Sequence, residues 1–152
     1  MITKIGILSD THGLLRGEVR HRLQGCDMIL HAGDIGGPSL LEELRSMAEV
    51  VAVRGNVDTG PWARELPEMA YVEAEKTRIC VIHNLAELSL DPAAAGVHVV
   101  VYGHSHQPGA VWKEGILYLN PGSAGPRRFH LPVSMAFLHV RPTGPRAELI
   151  EL

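Results

Sequence analysis

Cysteine is nearly absent from this chain, with Cys26 and Cys80 alone among 152 residues. Two cysteines build no disulfide framework, and the expected compartment is a reducing cytoplasm. A surplus of positive charge is lacking too: 14 Lys and Arg stand against 17 Asp and Glu, a formal net charge of −3. That balance leaves no basic footprint and argues against a dedicated nucleic-acid surface. No apolar run approaches the ~18 residues of a membrane span, and Met1-Ile2-Thr3-Lys4-Ile5 opens no signal-peptide pattern. Repeats, low-complexity segments and long linkers are missing as well, so residues 1–152 are expected to form one domain. What is present is an ordinary globular composition, 45% hydrophobic and 20% charged. Two residue types exceed expectation, with 9 histidines and 16 glycines. Several of each stand at the ends of apolar runs.

Those runs are Lys4–Asp10, Met28–Asp34, Val50–Asn56, Ile79–Asn84 and Val97–His104. Continuous apolar stretches of this length read as strands buried on both faces. Between the first three lie helical patterns. Leu15, Val19 and Leu23 sit four apart, with Gly25 placed to stop that helix. Pro38-Ser39 followed by Glu42 reads as a capping-box start, and Leu40, Leu44 and Met47 follow at helical spacing. Strand and helix in alternation imply a parallel sheet in the first half. The second half holds shorter strand-like runs at Glu68–Ala74, Ala110–Lys113, Ile116–Asn120, Pro132–Val140 and Ala147–Leu152, separated by turn residues. These predict one or two further sheets, partly antiparallel, and an α/β class overall.

In open parallel sheets, ligands bind beyond the carboxyl ends of the strands. All five apolar runs carry metal-capable residues at that end: Asp10 and His12, Asp34, Asn56 and Asp58, His83, then His104 and His106. An i, i+2 pair on extended backbone points to one face, so Asp10 with His12 and His104 with His106 are each expected to bind as a pair. Gly13, Gly33, Gly55 and Gly103 are expected to let the backbone turn beside an ion. Taken singly, each piece reads equally well as a cap, a turn or a surface loop. Recurrence at one topological position favours a metal, because gathered carboxylates and imidazoles lose solvation without a cation. Seven side chains are too many for one ordinary site, so two ions are expected. Imidazole mixed with carboxylate and amide oxygen suits first-row ions better than Mg²⁺ or Ca²⁺, and Mn²⁺ heads the expected ions, with Zn²⁺, Fe or Ni²⁺ as alternatives. The absence of thiolate disfavours a structural zinc site. Paired ions clamp the attacking and leaving oxygens of an in-line displacement and attract a phosphate.

The order Ser9-Asp10-Thr11-His12-Gly13, His31-Ala32-Gly33-Asp34, Arg54-Gly55-Asn56-Val57-Asp58, His83, Gly103-His104-Ser105-His106 and Asn120-Pro121-Gly122-Ser123 resembles the calcineurin-like metallophosphoesterases. It is most similar to their small single-domain bacterial and archaeal phosphodiesterases. The resemblance covers most of the chain. It implies a four-layer α/β/β/α sandwich, two mixed sheets flanked by helices. It also implies that Asp10, His12 and His106 hold a first ion, that Asp34 bridges, and that Asn56, His83 and His104 hold a second. A bridging hydroxide is that family's nucleophile, and Asn56 often touches the substrate phosphate there.

Two departures bear on substrate. His83-Asn84-Leu85 replaces the family's usual His-Gly-His. Val57 stands where larger phosphatases carry a histidine able to protonate the leaving group, which weakly favours acidic leaving groups. Arg54, Arg127 and Arg128 are phosphate-binding candidates, since guanidinium matches phosphate bidentately, although loop arginines are commonly plain surface. His31 is expected to pack behind the site and His21 to lie on a solvated helix face, while His98, His130 and His139 lack a ligand-spaced partner. By the resemblance, Asp58 braces the Asn56 loop and Asn120–Ser123 packs beneath the site.

The leading expectation is therefore a two-metal phosphoesterase, a phosphodiesterase before a monoesterase, with an open cleft for a small phosphate ester. An alternative is a catalytically idle scaffold that binds proteins, as in a retromer subunit similar to this family. A metal-dependent amidohydrolase also uses His-x-His, but 152 residues cannot close its eight βα units. The sequence leaves the native metal and the oligomeric state open, a homo-oligomer included.

Overall fold

A computed structural model describes residues 1–152. Ten strands form two mixed five-stranded sheets. In the first, β1 (Lys4–Leu8), β2 (Met28–His31) and β3 (Glu49–Ala52) run parallel, joined by α1 (Gly17–Leu23) and α2 (Pro38–Arg45). The final hairpin, β9 (Ser134–Arg141) and β10 (Gly144–Glu151), extends this sheet antiparallel to β1, giving the order β10-β9-β1-β2-β3. The second sheet contains β4 (Met69–Ala74), β5 (Thr77–Ile82), β6 (Val99–Val101), β7 (Gly109–Lys113) and β8 (Ile116–Asn120) in the order β4-β5-β6-β8-β7. Its centre, β5-β6-β8, is parallel and its margins are antiparallel. The short α3 (Pro61–Arg64) links the two sheets. No helix is long and apolar enough to cross a membrane.

The sheets face each other across an apolar core. Ile5, Ile7, Leu30, Ala136 and Leu138 of the first meet Ile79, Val81, Val99, Val101, Leu117 and Leu119 of the second. Each fully buried branched side chain contributes about 1.5–3 kcal/mol, so this layer fixes how the strand ends of the two sheets meet. A second cluster seats the helices on the outer face of the first sheet, with Val19, Leu23, Leu40, Leu41 and Leu44 against Leu8, Ile29, Met135 and Phe137. On the outer face of the second sheet the covering is thin. One 3₁₀ turn (Leu85–Glu87) and the chain after it partly cover Cys80, Ile82, Val100 and Ile116.

Several local expectations are corrected. The continuous run Val50–Asn56 does not form a strand buried on both faces: β3 lies at a sheet edge and stops at Ala52. Leu15 lies ahead of α1 rather than in it, although it packs on the same core. The capping box does not form, because Gly37 takes the N-cap, Pro38 follows, and Ser39 falls inside the helix. Pro at the first helical position is preorganised in φ, so this start needs no side-chain cap. Gly25 does lie just past α1 at φ 84°, as expected of a helix stop. Strand assignments elsewhere hold to within three residues, and the second-half strands divide between both sheets.

His31, the last residue of β2, is fully buried. Its Nδ1 accepts from Gly33 N–H at 3.1 Å, so the proton sits on Nε2 and faces Thr11 Oγ1 at 2.9 Å. The Thr11 hydroxyl in turn donates to the Ile35 carbonyl at 2.9 Å. Burial, aided by the nearby charge of His83, pushes the His31 pKa down to about 3. An unfolded imidazole ionises near pH ~6.5; between that pH and about 3 the unfolded chain binds the extra proton. Stability conferred by neutral His31 is therefore complete above that window and is lost as the pH falls through it, by at most ~1.4 kcal/mol per pH unit. Urea unfolding from pH 7 to 4 should show a shallower pH slope for His31→Gln than for the parent chain. Identical slopes would remove this assignment.

Candidate metal centre

The carboxyl ends of β1, β2, β3, β5 and β6 meet at one rim of the sandwich, and the loops after them bring the seven candidate ligands together. Asp10, His12 and His106 form one group, and Asp10, Asp34 and His83 another, with ligand atoms within 4.8 Å of one another in each. Asn56 Oδ1 lies 3.0 Å from His83 Nε2, and His104 Nδ1 lies 3.3 Å from the same nitrogen. Asp10 belongs to both groups. Asp34 also reaches both, since its Oδ2 is 3.2 Å from His83 Nε2 and 3.9 Å from His12 Nε2.

The residues converge by a different route from strand alternation. Asp10, His12, Asp34, His104 and His106 have φ of 55°, 46°, 56°, 73° and 63°, all left-handed. The expected extended i, i+2 pairs are therefore tight reversals that swing both side chains of each pair inward. Asp and His are among the few non-glycine residues enriched in this region. The glycines divide in role. Gly13 and Gly33 adopt positive φ, at 82° and 99°. Gly55 and Gly103 do not turn the chain in this way; they leave space. A Cβ on Gly55 would collide with Asp34, and one on Gly103 with Ser9 and Asp10.

Neighbouring groups fix each candidate. Ser9 Oγ donates to Asp10 Oδ2 at 2.6 Å, and His104 N–H reaches the same oxygen at 3.1 Å. Asp10 Oδ1 is left facing His106 Nε2 at 3.3 Å and His12 Nε2 at 3.9 Å. Val57 N–H holds Asp34 Oδ1 at 3.0 Å. His83 Nδ1–H donates to the Ala32 carbonyl at 2.7 Å and so aims Nε2 at Asp34, Asn56 and His104. Asp58 braces the turn between them, accepting from Ile35, Gly36 and Gly55 N–H at 2.9–3.0 Å. Asn120 Nδ2 donates to the Gly103 carbonyl and to Ser105 Oγ, while Ser123 Oγ donates to the Asp10 carbonyl at 2.9 Å. The bracing expected of Asp58 and of Asn120–Ser123 is thus present in the hydrogen bonds. Sequence alone assigns Ser9 and Thr11 no role, although both hold the site in place. The available signal was two hydroxyl residues in the polar end of an otherwise apolar run.

Charge at the site is finely opposed. Burial raises the Asp10 carboxyl pKa and outweighs the Ser9 hydrogen bond and the nearby imidazoles. Burial also acts against Asp34, but His83 and the Val57 N–H overcome it and hold that carboxyl at about 2. His83 is raised: burial pulls it down, and the bond to Asp34 more than reverses that. His106 is lowered by burial, which the Asp10 carboxylate opposes and the charge of Arg128 reinforces. Three buried atoms have no hydrogen-bond partner, Asp10 Oδ1, His12 Nε2 and His106 Nδ1. Unpaired buried polar atoms are costly, and Asp10 Oδ1 and His12 Nε2 face the space among the ligands. This donor set fits divalent cations.

The substrate candidates are less uniform. Arg54 lines a cleft of about 620 Å³ beside Asn56, His83, Asn84 and His104, and pairs with Glu68 at 3.1 Å. Asn84 caps the 3₁₀ turn, accepting from Ala86 N–H, so the replaced Gly-His motif continues into local structure. Val57 is 47% exposed beside the centre. Arg127 and Arg128 lie exposed on the loop after Gly125. His21, His98 and His130 are exposed and belong to neither ligand group, and His139 pairs with Glu148.

Residues 3–143 match the calcineurin-like phosphoesterase superfamily domain. A probable metallophosphoesterase of Methanothermobacter thermautotrophicus is 34% identical over 131 residues, covering 78% of this chain and 76% of that protein. Phosphodiesterase YfcE of Escherichia coli is 30% identical, covering 89% and 86% respectively. Vps29 of Chaetomium thermophilum shares the fold, with a TM-score of 0.78 at 18% identity and coverage of 99% and 97%. The chain belongs to the calcineurin-like phosphoesterase superfamily.

Proposed function

We propose that residues 1–152 act as one two-metal phosphodiesterase domain, with Asp10, His12, Asp34, Asn56, His83, His104 and His106 as ligands. The observation that carries this reading is the orphaned, buried Asp10 Oδ1 facing His12 and His106, beside a second group around Asp34 and His83. Relatives named as phosphodiesterases support the preference for diesters. Mn²⁺ heads the candidate metals, followed by Zn²⁺, Fe and Ni²⁺, since mixed imidazole and carboxylate donors suit all of them. The two cysteines are both buried and free, which accords with a cytoplasmic setting.

Two bound divalent ions would supply an activated water as nucleophile and the positive charge that offsets a phosphate. The chain's own residues set the geometry. Ser9 and the His104 N–H fix the Asp10 carboxylate, Val57 N–H fixes Asp34, and Ala32 fixes the His83 tautomer. Asn56 stands exposed at the mouth of the cleft, where its amide is placed to orient a phosphate oxygen. Arg54 lines the same cleft and offers a guanidinium to the substrate once Glu68 yields it. Val57 offers no proton to the departing oxygen, so leaving groups that depart as stable anions are favoured. The unlidded cleft accepts small phosphate esters.

Hydrolysis of bis(p-nitrophenyl) phosphate should require added Mn²⁺, Zn²⁺ or Ni²⁺ and stop with chelator. Asp34→Asn and His104→Asn should each lower kcat/KM by at least ~10²-fold, the scale of losing several kcal/mol of charge stabilisation. Wild-type rates in both variants would overturn the mechanism. Near-zero metal content after growth with these ions would instead favour the scaffold reading, which rests on the fold shared with Vps29.

Asn120→Ala removes the brace on the His104–His106 turn without touching a ligand. Its metal affinity, titrated by calorimetry, is expected to weaken about 10- to 100-fold. An unchanged affinity would reduce Asn120 to a turn residue.

A further inference from the structure

The chain after Asn120 changes character abruptly at Gly125. Residues 121–125 are buried, whereas Pro126, Arg127, Arg128, Phe129 and His130 are all exposed. The buried part is bolted to the metal-centre loop. Ala124 N–H donates to the Ser9 carbonyl at 3.1 Å, Ser123 Oγ donates to the Asp10 carbonyl, and Arg16 clasps the Gly125 carbonyl through Nε and Nη2 at 3.2 and 3.1 Å. Gly125 packs so closely on the Asp10 and Thr11 carbonyls that a Cβ there would collide. The exposed tip is therefore anchored at the rim, directly beyond the Asp10–Thr11 backbone that leads into His12.

That tip presents two features with no structural partner. Phe129 is 84% exposed and left-handed, at φ 55°. An aromatic residue in this conformation is strained, and strain of this kind concentrates at functional sites. Arg127 and Arg128 enter none of the arginine ion pairs of the fold, which are Arg20–Glu43, Arg22–Glu18 and Arg54–Glu68.

Resting on the phosphodiesterase reading, we propose that this tip is a nucleoside-binding platform. Phe129 stacks on the base of a nucleoside phosphodiester, and Arg128 meets a non-bridging oxygen of the phosphate seated at the centre. Base–aromatic stacking tolerates any base, and guanidinium matches phosphate in two-pronged fashion. One aromatic and two arginines on a chain of net charge −3 serve a single nucleotide unit, not a polymer track. The substrate class is accordingly a small diester that carries a nucleobase on one substituent.

Two readouts test this. In calorimetric titration of the Mn²⁺-loaded protein, thymidine 5′-monophosphate should bind about 10-fold tighter than ribose 5-phosphate. Phe129→Ala should erase that gap, and Arg128→Gln should weaken both ligands alike. In turnover, the ratio of kcat/KM for thymidine 5′-(p-nitrophenyl phosphate) over methyl p-nitrophenyl phosphate should fall about 10-fold in Phe129→Ala. Phe129 is almost wholly exposed, so its replacement leaves the core untouched. Equal affinities for the two ligands, or a Phe129→Ala protein that keeps the wild-type gap, would overturn the platform. If neither ester turns over with Mn²⁺, Zn²⁺ or Ni²⁺, the hydrolase reading falls, and the affinity gap still decides the nucleoside site.

Discussion

A carboxylate with no exposed surface sets the terms for the rest of this molecule. Asp10 sits at the end of the central strand β1, with one oxygen held by Ser9 and the His104 backbone and the other directed at two imidazoles. Burial raises its pKa, and the charges that oppose this rise come from the His83 and His106 imidazoles. Such a group is tolerable when the space it faces is meant for a cation. The other loops around the rim follow from that requirement. Gly103 must be small to let the His104 turn approach Asp10, and Gly55 must be small to let the Asn56 turn approach Asp34.

The two sheets meet this demand in different ways. The first contributes Asp10, His12, Asp34 and Asn56 from the loops after its parallel strands, in the manner of any open α/β sheet. The second contributes His83, His104 and His106 from β5 and β6, its own parallel centre. Packing of the two apolar faces brings both sets to one rim. The antiparallel margins carry no candidate ligand. They widen the sheets, while β8, the third strand of the parallel centre, supplies Asn120 as a brace.

Much of this was legible in the sequence because burial and chemistry left separate marks. The apolar runs located β1, β2, β5 and β6, and the polar residue at each end located the rim. What the sequence did not disclose was conformation at the ligands themselves. Asp-x-His and His-x-His read as alternating strand residues, yet tertiary bonds from Gly33, Asp34 and Ile35 to the Asp10–Gly13 backbone bend that segment into a left-handed reversal. The capping box was a local signal overridden by Gly37 and Pro38 one step earlier. Division of the late strands between two sheets depends on long-range pairing, for which no short window carries a signature. Phe129 escaped notice because nothing in sequence separates an exposed aromatic from a buried one.

The left-handed backbone at five of the seven candidate ligands has a consequence for how the centre is dissected. At those positions the side chain proposed to donate to a metal is also one of the few types that tolerates the conformation. Alanine at Asp10 or His104 would delete a donor atom and at the same time install a residue that resists the turn. Its effect would sum two unrelated losses. Glycine removes the donor while relieving the backbone, and asparagine keeps the backbone preference with a weaker donor. Bracketing each position with that pair separates the coordination chemistry from the shape of the loop.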